Sequence, residues 1–106
     1  MINLTPHEIV IRAPHGDIVL PPSGIVARVA TVEVGAGTFG AEAIPVVRRT
    51  LGDVIGMPEA GVPCIVSAMV AAAVPGRAGV FAPDTGSTAV RNASGQVLAV
   101  TRLVAA

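Results

Sequence analysis

The sequence predicts a small, mostly β domain (a small α+β fold): a compact antiparallel sheet or partly open barrel with one short helix near residues 67–75. Three observations predict it. β-branched runs recur at residues 8–12, 18–20 and 25–34, separated by short clusters of Gly, Pro, Ser and Asp. Only one segment, residues 68–74, is rich in the strongest helix former, Ala. The chain of 106 residues has no internal repeat and no linker, so residues 1–106 form a single domain.

The elements follow in order. Residues 1–4 are apolar and extended, and they stop at Thr5-Pro6-His7, where Pro6 keeps Thr5 out of the helical region. Residues 8–12 form a strand, residues 13–17 a turn and residues 18–20 the returning strand of a hairpin. Pro21-Pro22-Ser23-Gly24 punctuates the chain. Residues 25–34 are apolar on both phases of a two-residue period, which suits a strand covered on both faces. Arg28 lies within it, and a covered Arg needs a partner.

Residues 35–40 (GAGTFG) read as a flexible hairpin tip. They are not a phosphate loop, since the GxxxxGK[ST] pattern and its Lys are missing. Residues 42–49 form a further strand, placed at an edge or bulge by Pro45. Residues 50–59 are glycine-broken and read as a strand pair or irregular loop. Cys64-Ile65-Val66 is a strand, Ser67 caps the helix at residues 68–74, and Pro75-Gly76 ends it. Val80-Phe81 leads into a polar turn, and the chain closes with a hairpin whose turn is Asn92-Ala93-Ser94-Gly95.

Composition adds two expectations. Apolar residues make up 52% of the chain and charged residues 13%, about half the usual charged share. So few charges leave apolar area on the surface, which predicts a homo-oligomer. The seven cations are all Arg and balance seven Asp and Glu. Zero net charge argues against general nucleic-acid binding and against an anionic membrane surface. Residues 1–8 carry no signal segment, and the longest apolar run is too short to span a bilayer, so the expected location is cytoplasmic. The single Cys64 excludes an internal disulfide and reads as a buried small hydrophobe.

Polar chemistry concentrates at residues 80–91 (VFAPDTGSTAVR). Asp84, Thr85, Ser87 and Thr88 crowd around Gly86, and Arg91 follows. With Arg28, and with Thr5 and His7, these residues offer guanidinium forks and hydroxyl donors suited to a phosphate-containing ligand. The ligand set is thus Arg28, Asp84, Thr85, Ser87, Thr88, Arg91 and His7. The competing reading is that Arg28 or Arg91 pairs with Asp84 and the hydroxyls cap the turn. His7, Glu8, His15 and Asp17 have zinc-ligand chemistry but no HxH or HxxxH spacing, so no metal site is assigned. No cofactor motif is present.

Asp84-Thr85-Gly86 also resembles the catalytic triplet of retroviral-type aspartic proteases, which act as homodimers. The resemblance stops at the triplet: about twenty residues follow it, without that family's apolar-apolar-Gly segment. The segments INLTPHEIVI, PPSGIVARV, VPCIVSAMVAAAVPGR and PDTGSTAVRNASGQVLAVTRL together resemble small uncharacterised proteins of bacteriophages and prophages. That resemblance covers most of the chain apart from residues 35–41. It implies a phage setting and expression in the host cytoplasm, and carries over no catalytic residues.

The expected function is a non-enzymatic, homo-oligomeric binding protein for a small anionic, nucleotide-like ligand. By analogy of size and setting, its role is sequestration of a nucleotide signal of host defence. The alternative is a structural or protein-interaction module, either a virion component or a binder of a host protein.

Overall fold

The core of the molecule is a four-stranded sheet whose strands come from widely separated parts of the chain. In the computed structural model, which describes all 106 residues, the strand order is β1 (Ile2–Asn3), β6 (Cys64–Ile65), β7 (Val80–Pro83), β10 (Leu103–Ala105). The first three run parallel, and β10 returns antiparallel to β7. Helix α1 (Ala68–Ala73) connects β6 to β7. Ser67 caps it: its Oγ accepts from the Val70 N–H at 3.3 Å. The short apolar runs at residues 64–66 and 80–82 are continuous because both faces of these strands are covered. Cys64, Ile65, Val66 and Val80 are almost completely buried, and Val70 and Ala71 of α1 share one core cluster with Cys64, Val66 and Val80.

Three antiparallel pairs surround this sheet. β2 (Ile9–Ala13) pairs with β3 (Gly16–Leu20), and β8 (Val90–Arg91) with β9 (Val97–Ala99). Arg12 and Val10 exchange backbone hydrogen bonds with Val100, which joins the two hairpins. The third pair is β4 (Arg28–Phe39) with β5 (Ile44–Ile55), twelve residues each. Its base packs on the core through Val29 and Val54. The rest projects as an arm. The radius of gyration is 17.0 Å, against about 13 Å for a compact chain of this length.

The mostly β class with one short helix therefore stands, and no barrel closes. Several expectations need correction. The central sheet is mixed rather than antiparallel throughout. The extended segment at residues 1–4 supplies, beyond the expectation, a strand of the central sheet at Ile2–Asn3, with Leu4 and Thr5 buried after it. GAGTFG is not the hairpin tip: β4 runs on through Phe39 with a register irregularity between Gly35 and Thr38, and the turn falls at residues 40–43. Residues 50–55 continue β5 instead of breaking into a new pair. Residues 28–34 are not covered on both faces, since most of the arm is exposed. Arg28 is exposed too, so it needs no buried partner.

Candidate functional site

β7 delivers the chain to the polar turn at its carboxyl end. Asp84 is held from two sides: its Oδ1 accepts from the Gly86 N–H at 2.9 Å, and its Oδ2 accepts from Arg102 Nε at 2.5 Å. Arg102 and the Gly86 amide hold the carboxyl below the usual Asp range. Arg91 points back into the same turn, donating to the carbonyls of Thr85 at 2.5 Å and Gly95 at 2.8 Å. The Thr88 carbonyl accepts from the Thr101 hydroxyl at 3.1 Å.

These contacts correct the expected pairing. Neither Arg28 nor Arg91 is the partner of Asp84; Arg102, arriving on the segment before β10, takes that place. Arg91 instead staples two turns through their carbonyls. Thr85, Ser87, Thr88 and Arg91 are all exposed. Arg28 is not with them.

Arg28 lines a separate cavity of about 240 Å³, together with Thr5, Pro6, Ser67 and Met69. This cavity lies at the carboxyl ends of the parallel strands β1 and β6, where open parallel sheets commonly receive ligands. Thr5 is committed inward: its hydroxyl bonds Asn3 Oδ1 at 2.7 Å and lies 3.0 Å from the His7 carbonyl. His7 contributes its backbone carbonyl, which also accepts from Asn3 Nδ2 at 2.8 Å.

A larger cavity, about 380 Å³, opens between α1, β7 and β10. Ala72, Pro75, Ala82 and Val104 give it apolar walls, and Asp84, Thr85 and Gly86 lie at its polar edge. Of the seven proposed ligand residues, Arg28 lines the first cavity and Asp84 and Thr85 line the second, while Ser87, Thr88, Arg91 and His7 line neither. A carboxylate held ionised by an Arg is also the reverse of a protease dyad, in which one carboxyl must stay protonated.

No group of three or more His, Cys, Asp and Glu side chains comes together. Asp17 is taken by Arg12 at 3.0 Å. Cys64 is buried, and burial pushes its thiol pKa up, which disfavours the nucleophilic thiolate. No helix is long and apolar enough to cross a membrane.

Sequence reasoning missed two features. Arg102 lies 18 residues from Asp84, outside any local motif. The apolar arm tip, Phe39 opposite Ile44, was hidden because its glycine-rich surroundings read as a loop. No protein-family model, curated protein or solved structure matches this chain.

Proposed function

We propose that this chain is a non-enzymatic, self-associating interaction module whose working surface is the β4–β5 arm. One observation supports the reading above all. The accessible surface is 6879 Å², about 1,400 Å² more than a folded monomer of 10.5 kDa exposes. A standard protein interface takes about 800 Å² from each partner. The excess is apolar in character: Val32, Val34, Phe39, Ile44, Val47, Leu51 and Ile55 of the arm are all exposed. Two-stranded hairpins are marginal by themselves in water, so a long exposed one calls for a partner surface.

In the phage setting that the sequence resembles, such a module serves as a virion component or as a binder of a host protein. Light scattering at micromolar concentration tests the self-association. A mass that is a multiple of 10.5 kDa is expected; a monomer mass across the concentration range overturns the reading.

A second reading keeps the small anionic ligand, now at the Arg28 cavity. Arg28 favours it because it has no acidic partner and stands beside Ser67 and Thr5 at the carboxyl ends of β1 and β6. A thermal-shift screen against cyclic di- and trinucleotides tests this, with Arg28→Ala as control. A ligand-dependent rise in melting temperature that disappears in the variant is the expected result; no shift with any compound discards the site.

A further inference from the structure

We propose that the arm tip, Phe39 with Ile44, inserts into the α1/β7/β10 cavity of a second copy of this chain. This rests on the self-association reading and specifies its contact.

The two halves of the contact are both present on every copy. Phe39 and Ile44 are cross-strand neighbours at the end of the arm, 72% and 51% exposed. A phenyl ring so exposed has no seat on its own chain. The cavity is the matching absence: about 380 Å³ with walls of Ala72, Pro75, Ala82 and Val104. Apolar cavities of about 150 Å³ already accept a benzene, so this one takes the Phe39 ring with Ile44 beside it.

The polar edges match as well. Glu42 lies in the tip turn between Phe39 and Ile44 and is exposed. Arg102 does not itself line the cavity but pairs with Asp84, which does; it gives only its Nε to Asp84 and is 63% exposed, leaving its terminal nitrogens for an incoming carboxylate. The arm is also braced to deliver the tip, because Val29 and Val54 anchor its base in the core. The excess accessible area, about 1,400 Å² per chain, is close to the two patches of about 800 Å² that a chain gives when it uses one surface as donor and another as acceptor.

The contact joins two different surfaces, so it is heterologous. Repeated around an axis it closes a ring; without closure it extends a filament. An isologous arm-to-arm pairing is the competing geometry, and the two make opposite predictions about which positions meet.

The test uses full-length chains carrying single new cysteines. Ala41→Cys, in the exposed tip turn, and Ala72→Cys chains, both keeping Phe39 and Ile44, are mixed, oxidised mildly and resolved by mass. Native Cys64 is fully buried and stays out of the reaction. The expected product is the mixed disulfide between the two chains, and Thr85→Cys at the polar edge repeats it from another position. In parallel, Phe39→Ser weakens self-association by about tenfold to a hundredfold, the worth of burying one large apolar side chain. An oligomer that yields only Ala41→Cys homodimers, or no cross-link from either cavity position, overturns this contact and leaves self-association standing. A monomer by light scattering overturns both.

Discussion

Asn3 Nδ2 donates to the carbonyl of Leu20 at 2.9 Å, tying the last residue of the β2–β3 hairpin to the edge of the central sheet. The same side chain donates to the His7 carbonyl, and its Oδ1 accepts from the Thr5 amide at 3.0 Å and the Thr5 hydroxyl at 2.7 Å. A buried Asn thereby satisfies both its donor and acceptor ends within the protein.

Asn3→Ala strips partners from several buried groups at once. The expected cost is about 3 kcal/mol, since each orphaned buried polar group costs about 1–3 kcal/mol. Thermal denaturation should show a fall of about 10 °C or more for a domain of this size. A shift within error of the native protein contradicts this account of the network.

The Asp84–Arg102 pair predicts a pH signature. Asp84 titrates below its ordinary value of 3.8 in the folded protein. Its contribution to stability is therefore present above the unfolded value and is lost as pH falls through the folded one. Asp84→Asn should be less stable than the native chain at about pH 7, and the gap should close as pH falls from about 5 towards 2. Urea midpoints measured across that range check the prediction. A gap that stays constant with pH means that the loss in the variant is not electrostatic.

Glycine at the base of the arm is required, while Gly35 within β4 is not. Gly56 has φ +82°, and a Cβ there would lie 2.8 Å from the Val26 carbonyl oxygen. Gly56→Ala should cost about 2 kcal/mol or more. Gly35 has open space around its Cβ position and no positive φ. Gly35→Ala should be neutral or stabilising by about 0.5 kcal/mol. Denaturation curves of the two variants measured together make the comparison.

Cys64 should be inert in the folded protein. Its side chain is fully buried and its thiol pKa is raised by that burial. A thiol reagent at neutral pH should label it only as fast as the chain opens, and at once in denaturant. Rapid labelling of the native protein would show that β6 is accessible.

Much of this architecture was legible because it is local. The β2–β3 hairpin follows from two β-branched runs around a Pro-His-Gly-Asp turn. Helix α1 follows from Ser67 before an Ala run and Pro75 after it. Residues 92–95 turn as Asn, Ser and Gly do, with Asn92 Oδ1 accepting from the amides of Ser94 and Gln96.

What was not legible depends on distance or on context. Ile2–Asn3 is too short to show a period, and its partner strand is chosen by burial rather than by local pattern. The Asp84–Arg102 pair joins two segments that no spacing rule connects. The arm misled in a different way. Its β-branched run reads as covered on both faces, yet the chain's own fold covers little of it. The run carries the apolar pattern of a covered strand on residues that stand exposed.

The parallel strands also set an order of events. Ile2 pairs with Cys64, and Cys64 with Val80. β1 must therefore wait until β6, about sixty residues further on, has been made before it finds its neighbour. The hairpins need only adjacent residues and can form at once. The arm, with its exposed apolar edge, is thus available to other nascent copies before the central sheet exists. Assembly during synthesis and misassembly would begin from the same segment, and folding yield should fall as expression rate rises.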